Sequence, residues 1–129
     1  MPKTALELTP EELAQYRPEE IVRERRERTA AERRARWQQA RTVAAEAAAM
    51  LRDEFGARRV LLFGSATDPT FFTLWSDIDL AVESMPPENL YDAVAAVIDL
   101  TPDFQVDLVD VRTARADLRQ VIERDGMEL

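Results

Sequence analysis

The 129-residue sequence contains no cysteine and no histidine. Without cysteine, the chain forms no disulfides and offers no thiolate ligands to a metal. Without histidine, it lacks the commonest general base near neutral pH and the commonest zinc ligand. Acid–base or metal chemistry must therefore depend on carboxylates, whose hard oxygen atoms suit Mg²⁺ or Mn²⁺.

Long apolar runs are also missing from the sequence. No segment approaches the roughly 20 consecutive apolar residues that a membrane-spanning helix needs. The first residues, Met1 to Glu7, lack the apolar stretch of a signal peptide. The chain is 46% hydrophobic and 33% charged, which is ordinary for a globular domain, and its length allows one modest core. We therefore expect a cytoplasmic protein that makes no contact with a membrane.

The formal net charge of −8 is distributed unevenly along the chain. Residues 1–60 carry thirteen basic and eleven acidic side chains, whereas residues 61–129 carry four basic and fourteen acidic ones. An acidic surface repels the phosphate backbone of nucleic acids unless metal ions intervene. We therefore expect no direct binding of nucleic acid by the C-terminal half.

Two helices are predicted in the N-terminal half. Thr9-Pro10-Glu11-Glu12 is typical of a helix start, with a threonine cap, a proline at the first helical position and a capping-box glutamate. This short helix should end near Tyr16, because the residue before Pro18 is disfavoured in helical geometry. Pro18 then begins a second helix, and no helix-breaking residue follows until Gly56.

The two halves of this second helix differ in composition. Its C-terminal half has apolar residues spaced by three or four, a stripe that packs on a core: Trp37, Ala40, Ala44, Ala47, Leu51 and Phe55. Between Arg23 and Arg36 there are seven arginines and no large apolar side chain. We therefore predict a helical N-terminal arm, 1–36, that projects or breaks near Thr29, and a globular domain, 37–129.

The arginine-rich segment of the arm is compatible with two roles. Glutamates and arginines spaced by four residues form the i,i+4 pairs of a solvated helix, as at Glu19–Arg23 and Glu24–Arg28. The same segment could instead contact a partner or a second copy of the chain. The sequence leaves both interpretations open, and with them a homo-oligomer.

The C-terminal part alternates strands and helices. Apolar or alternating patterns predict strands at 59–63, 77–82 and 105–109. Helices are predicted at about 88–99, with Leu90, Val94, Val97 and Ile98 inward, and at about 113–124, with Gly126 as its C-terminal cap. This order indicates an α/β (α+β) layered fold with a small mixed sheet and flanking helices.

Three aspartates on the predicted strands are candidate metal ligands. Asp77 and Asp79 are two residues apart, so both project from the same face of a strand. Two neighbouring carboxylates repel each other by several kcal/mol unless a cation neutralises them. If the next strand lies alongside, Asp107 joins them, and three carboxylates converge on a divalent metal. The alternative is that Asp77 and Asp79 are solvated residues on an exposed edge strand.

Gly64-Ser65 follows the first predicted strand and is a candidate phosphate-binding turn. A glycine here allows close approach of the backbone to a ligand, and the serine hydroxyl and following amides can donate to phosphate oxygens. Phosphoryl transfer requires little more than metal ions, phosphate donors and a positioned nucleophile. Gly64, Ser65 and the three aspartates could supply this set.

Gly64-Ser65, eleven further residues and Asp77-Ile78-Asp79-Leu80 together resemble the Gly-Ser…Asp-x-Asp signature of the DNA polymerase β-like nucleotidyltransferases. The small size and the strand Val106-Asp107-Leu108-Val109 resemble the minimal nucleotidyltransferase branch of that superfamily. The resemblance covers roughly residues 40–125. It implies the nucleotidyltransferase fold and a metal-dependent nucleotidyltransferase activity.

The same resemblance implies a partner and a set of roles. Members of this branch are typically encoded beside a HEPN-type RNase toxin and act as antitoxins that transfer AMP from ATP to a toxin tyrosine (AMPylation). By resemblance, Gly64 and Ser65 would hold the triphosphate of ATP. Asp77 and Asp79 would bind two Mg²⁺ ions, and Asp107 would bind the catalytic ion and the incoming hydroxyl.

The phosphate loop departs from the family pattern. The family continues Ser-x-Ala-Arg-Gly, whereas this chain has Ser65-Ala66-Thr67-Asp68-Pro69. An anion thus replaces a cation, and the proline removes a hydrogen-bond donor. Asp68 followed by Pro69 also predicts that the helix begins near Pro69 rather than at Ser65, which would move its amides away from the phosphates and weaken catalysis.

Two alternative functions are open, and the departure in the loop favours the first of them. The chain could neutralise the toxin by binding alone, as a module with a degenerate phosphate loop. It could instead transfer a nucleotide to a small molecule, as the aminoglycoside nucleotidyltransferases do. Those enzymes carry additional domains for the acceptor, however, and this chain has no spare length for one.

Overall fold

The computed structural model describes residues 9–15 and 17–129. Residues 1–8 and Tyr16 lie outside the described residues. The predicted absence of a signal peptide and the predicted end of the first helix near Tyr16 fall on these residues. The chain divides into two compact units, Met1–Ala31 and Glu32–Leu129. The domain boundary between residues 36 and 37 stays a prediction.

Helix α1, Pro10–Gln15, begins where the sequence predicts. The Thr9 hydroxyl accepts a hydrogen bond from the Glu12 amide at 3.1 Å, which is the N-cap contact expected of this motif. The next helix, α2, is Pro18–Phe55 and is continuous, which excludes a break near Thr29, one of the two predicted alternatives. Arginine, glutamate and alanine are strong helix formers, and their summed propensity is sufficient without a buried stripe.

Helix α2 ends at a glycine in the left-handed conformation. Gly56 has a φ of +76°, and the next amide, of Ala57, donates to the Leu51 carbonyl at 3.0 Å. The left-handed glycine turns the chain away from the helix axis, and a β-carbon at this position would disfavour that conformation. The end of the helix is therefore encoded locally, as the sequence indicates.

The sheet has four strands: β1 (Arg59–Phe63), β2 (Ile78–Glu83), β3 (Val106–Asp110) and β4 (Met127–Glu128). Their order is β3-β2-β1-β4; β1 is antiparallel to β2 and β4, and β2 is parallel to β3. The predicted mixed sheet is therefore confirmed. Strand β4 was not predicted, since two residues are too few to show an alternating pattern.

The remaining helices are close to their predicted positions. Helix α3 is Leu90–Asp99 and is preceded by a 3₁₀ turn, Pro87–Asn89. Helix α4 is Ala116–Asp125, so it begins three residues later than predicted, after a second 3₁₀ turn, Val111–Thr113. Ile98 of α3 is 54% exposed, and its predicted inward position is wrong.

Gly126 follows α4, but its backbone is extended rather than left-handed, with a φ of −64°. Its amide donates to the Ile122 carbonyl at 2.8 Å, and a β-carbon at this position would collide with that same oxygen. The predicted glycine cap is thus present, and close backbone approach, rather than a positive φ, is what requires glycine here.

The sheet buries a different cluster on each face. On one face, the alanine-rich side of α2 packs against the strands together with α3; this cluster includes Ala40, Ala44, Ala47, Leu51, Val60, Leu62, Leu80, Val82 and Val97. On the other face, a smaller cluster forms around α4, with Leu61, Phe63, Ala81 and Ile122. Because alternate residues of a strand face opposite sides, β1 and β2 contribute to both clusters.

No helix within the described part of the chain is both long and apolar enough to cross a bilayer. The longest, α2, carries charged side chains along much of its length.

Candidate active site

Asp79 and Asp107 lie opposite each other on adjacent parallel strands, in the register that pairs β2 with β3. The neighbouring residues Ile78, Leu80 and Val106 are buried on the α2 face of the sheet. Both aspartates therefore lie on the opposite face, which is the face that α4 covers in part. The condition that the second and third predicted strands are neighbours is thus met. Asp77 lies immediately before β2 rather than within it, since β2 begins at Ile78.

Negative charge is concentrated around Asp79. Its pKa is raised to about 6, mainly because burial disfavours the charged form and further because Asp107 and Asp77 repel it. Among the described residues, none forms an ion pair or a side-chain hydrogen bond with Asp79 or Asp77. A half-buried carboxylate repelled by two others is stabilised by a cation.

Gly64 follows the last residue of β1 and lies directly beside Asp79. It has a φ of +75°, in the left-handed region, and a β-carbon at this position would collide with Oδ2 of Asp79. Glycine is therefore required twice, by the backbone conformation and by the close approach of the carboxylate. The sequence interpretation attributed this glycine to a ligand; the structure adds the Asp79 side chain as an immediate neighbour.

The aspartates provide the right donors for Mg²⁺ but do not surround a common point. Within the described residues, no group of three or more acidic side chains has the geometry to hold a metal ion. Asp107 is instead oriented toward Gln105, whose Nε2 is 3.2 Å from Oδ1 and 3.4 Å from Oδ2. Hard oxygen donors and the unneutralised charge at Asp79 fit a divalent cation. The convergence of Asp77, Asp79 and Asp107 on metal stays a prediction.

The phosphate-loop candidates lie in a 3₁₀ helix, Gly64–Thr67, that begins directly after β1. The Thr67 hydroxyl donates to the Gly64 carbonyl at 2.8 Å and stabilises this turn. Within the described part of the chain, no side chain or backbone group hydrogen-bonds to the Ser65 hydroxyl. Ser65 therefore has a free donor at the position where a phosphate is predicted.

The helix predicted to begin near Pro69 does not form. The Asp68 carboxylate accepts a hydrogen bond from the Thr70 amide at 2.8 Å, and its carbonyl accepts from Phe71 and Phe72 at 3.1 and 3.2 Å. Asp68 and Pro69 thus cap a single turn, as their residue types favour, and fully buried Phe72 ends it. Since a helical turn already begins at Gly64, the predicted displacement of its amides is wrong.

A pocket of about 640 Å³ lies beside this turn. Residues of the loop and of the C-terminal segment line it: Gly64, Ser65, Thr67, Asp68, Phe71, Val121, Asp125 and Met127. Among the described lining residues, two side chains are carboxylates and none is a lysine or an arginine. Asp125 is paired with Arg124 at 2.9 Å, so the charge of Asp68 is the one left unbalanced. The pocket is therefore the right place for a ligand of the Gly64-Ser65 turn, but its lining alone disfavours an anion.

Solved structures of toxin–antitoxin complexes are similar to this chain. One, a mutant of the MntA–HpeT pair, is 25% identical with a TM-score of 0.53, over 66% of this chain and 70% of that chain. A toxin–antitoxin with AMP-PNP is 30% identical with a TM-score of 0.52, over 62% of this chain and 66% of that chain. The complex of the tri-AMPylated HEPN toxin of Shewanella oneidensis with its MNT antitoxin is 25% identical with a TM-score of 0.51, over 69% of this chain and 70% of that chain. The chain belongs to the minimal nucleotidyltransferase antitoxin family.

No family model matches the chain, and no curated protein matches it. The assignment of this minimal nucleotidyltransferase to its family therefore comes from the solved structures, together with the four-stranded mixed sheet and flanking helices that it shares with that fold.

Several features of this minimal nucleotidyltransferase are not evident from its sequence. Met127 and Asp125 form a wall of the pocket, although they are more than fifty residues from Gly64-Ser65. Trp37, expected only as an apolar contact, also donates its indole N–H to the Ala66 carbonyl at 2.8 Å and so holds the phosphate turn. Trp75, which as an aromatic residue could lie in the core or at an interface, is 90% exposed and so is not a core residue.

Proposed function

We propose that this minimal nucleotidyltransferase transfers AMP from ATP to a tyrosine hydroxyl of a partner HEPN-type toxin. The observation that carries the proposal is the pairing of Asp79 with Asp107 directly beside Gly64. The comparisons support it, since one similar complex contains AMP-PNP and another contains a tri-AMPylated HEPN toxin with its MNT antitoxin. As an antitoxin, the protein would act by modifying its partner covalently.

Two groups of residues would divide the binding of the reactants. The Ser65 hydroxyl and the amides of the Gly64–Thr67 turn would hold phosphate oxygens of ATP. Asp77, Asp79 and Asp107 would hold two Mg²⁺ ions. Bound Mg²⁺ would neutralise the triphosphate and lower the pKa of the acceptor hydroxyl. Gly64 keeps the turn against Asp79, so phosphate and metal ligands would be adjacent.

The reaction is a substitution at the α-phosphorus of ATP. The phenolic oxygen of the toxin forms a bond to this phosphorus, and the bond between the phosphorus and the bridging oxygen to the β-phosphate breaks, releasing pyrophosphate. The phenolic proton passes to the Asp107 carboxylate, which is exposed on the edge strand β3, and from there to water. Phosphoryl transfer depends mainly on positioning the reactants and stabilising charge, and neither of these requires a histidine.

A second candidate function is neutralisation of the toxin by binding alone. It is favoured by the carboxylate of Asp68, which lines the pocket beside Gly64-Ser65 and is paired with no cation within the described part of the chain. A carboxylate beside the phosphates would weaken the binding of a nucleoside triphosphate by repulsion between like charges. The protein would then have the nucleotidyltransferase fold and bind the toxin, but it would transfer little AMP.

The test uses the product of the neighbouring gene, if it is a HEPN-type protein, as the acceptor. We expect incubation with this protein, ATP and Mg²⁺ to add the mass of AMP to a tyrosine of that product, as measured by mass spectrometry. Asp77→Asn/Asp79→Asn should abolish the modification. RNase inhibition without any added mass would instead support neutralisation by binding, and neither inhibition nor modification would refute both candidates.

A further inference from the structure

We propose that Arg41 of α2 is the cation that binds the polyphosphate of the nucleotide in this protein. The proposal rests on the proposed nucleotidyltransferase function, because it assumes that ATP occupies the pocket beside Gly64-Ser65. Arg41 lies more than twenty residues before this turn, in a helix that the sequence marks only as a core-packing element.

Two contacts place the Arg41 guanidinium near the pocket. Its Nη1 lies 3.6 Å from Sδ of Met127, which lines the pocket, and its Cζ lies 5.6 Å from the centre of the Trp37 ring. Trp37 in turn donates to the carbonyl of Ala66, the residue that follows Ser65. The guanidinium thus lies between a wall of the pocket and the residue that anchors the phosphate turn.

The charge of Arg41 is not neutralised by a carboxylate within the described part of the chain. Arg124 differs in this respect, since its guanidinium is paired with both oxygens of Asp125 at 2.9 to 3.2 Å and adds no net charge to the pocket. Arg112 is paired with buried Asp110 at 2.7 Å. Within the residues that the structure describes, Arg41 is therefore a cation beside the pocket that is available to an anionic ligand.

The present partners of Arg41 would yield readily to a phosphate. A thioether sulfur is a weak acceptor, whereas a phosphate oxygen accepts a charge-assisted hydrogen bond and can be held by two guanidinium donors at once. The half-buried Trp37 ring limits the freedom of the guanidinium, which reduces the entropy lost on binding. A cation at this position would also offset the carboxylate of Asp68, whereas Asp125 is already paired with Arg124.

The experiment compares nucleotide affinities of Arg41→Gln and the wild type with Mg²⁺ present, by calorimetry. We expect Arg41→Gln to weaken ATP binding about tenfold or more and AMP binding less than about threefold, because the guanidinium is assigned to the additional phosphates. The dependence of ATP affinity on ionic strength should also become shallower. Arg52→Gln is the matched control, because Arg52 is half-buried on the same helix, about 16 Å further along by the helical rise. This control variant should bind ATP as the wild type does.

Arg41→Lys keeps the charge but loses the forked donors, and it should bind ATP with intermediate affinity. This variant also decides the question if Arg41→Gln does not fold. Equal ATP affinity in the wild type and in a folded Arg41 variant would overturn the role of Arg41 and leave the proposed function intact. Equal losses for ATP and AMP would also overturn it, since Arg41 would then act only on the structure of the pocket. A wild type that binds no ATP would refute the proposed function itself.

Discussion

Asp79 of β2 and Asp107 of β3 are paired across two parallel strands, and both leave the sheet on the face opposite α2. The pairing is unfavourable for the isolated chain, because the pKa of Asp79 is raised by burial and by the charges of Asp107 and Asp77. Sheet register alone keeps these charges together. An arrangement that costs folding free energy and lies beside a glycine turn is typical of a site that a ligand completes.

Removing the paired charges should abolish metal-dependent nucleotide binding. We expect Asp77→Asn/Asp79→Asn to lose binding of Mn²⁺ and of Mg²⁺–ATP in calorimetric titrations. Without metal, its free energy of unfolding should equal or exceed that of the wild type, because a like-charge contact is relieved. Asp92→Asn/Asp99→Asn makes the same charge change on exposed positions of α3 and serves as the control. Undiminished binding in the Asp77/Asp79 variant would exclude these residues as the metal site.

The raised pKa of Asp79 predicts the pH dependence of stability in EDTA. Between an unfolded-state pKa near 3.8 and the folded-state value of about 6, the folded protein holds a proton that the unfolded chain releases. Stability contributed by this group therefore falls as pH rises through that range. Relative to Asp79→Asn, the wild type should be equally stable near pH 4 and less stable by about 1 kcal/mol at pH 7. The loss is no larger than this because solvent screens the charge of the partly exposed carboxylate. Urea unfolding across this range measures it; a constant difference would contradict the shift.

Gly64 should be sensitive to substitution for two separable reasons. Gly64→Ala places a side chain at a φ of +75° and drives it into the Asp79 carboxylate, so both stability and nucleotide binding should fall. Gly56→Ala meets nearly the same φ, +76°, but its β-carbon contacts Pro86 at 3.2 Å instead. Both variants should lose about 1 kcal/mol or more of unfolding free energy, and Gly64→Ala alone should lose ATP affinity. Equal ATP affinities in the two would show that the contact of Gly64 with Asp79 is irrelevant to binding.

Reversing the charge in the phosphate loop should strengthen nucleotide binding. Asp68 lines the pocket, and a unit charge about 6 Å from another is worth roughly 3 kcal/mol at an effective dielectric near 20, before screening by solvent and salt. We expect Asp68→Arg/Pro69→Gly to bind ATP about tenfold more tightly and to transfer AMP faster. It should also be less stable, because the Asp68 carboxylate that caps the Thr70 amide is lost.

Asp68→Asn separates these two effects, since its side-chain oxygen can still accept from Thr70 while the charge is removed. This variant should gain part of the ATP affinity at little cost in stability. If neither loop variant binds ATP more tightly than the wild type, the Asp68 charge does not act on the nucleotide. The Asp68-Pro69 loop would then be no argument against catalysis.

The N-terminal arm should be dispensable for folding. The buried residues of both clusters lie between Ala40 and Ile122, within the unit Glu32–Leu129. Deleting residues 1–28 should therefore leave a cooperatively unfolding domain, as followed by circular dichroism. Association with the partner toxin or with a second copy should weaken, as measured by sedimentation. Loss of cooperative unfolding would show that the arm belongs to the core.

The sequence by itself determined the local elements and the candidate chemistry. Thr9, Pro18 and Gly56 fix helix ends through caps and backbone conformation, and alternating residues around Asp79 and Asp107 assign their strand faces. These features depend on neighbours within a few residues, so a linear pattern contains them. The same applies to the Gly64-Ser65 turn, whose spacing from Asp77 indicates the family before any contact is known.

Only the tertiary structure decided which of these features meet. The pairing of Asp79 with Asp107, the closeness of Gly64 to Asp79 and the position of Arg41 beside Met127 are set by sheet register and helix packing. Strand β4 was missed because two residues carry no period, yet it brings Met127 to the pocket. Contacts between distant segments depend on how whole faces bury their apolar area, and no local pattern specifies that sum.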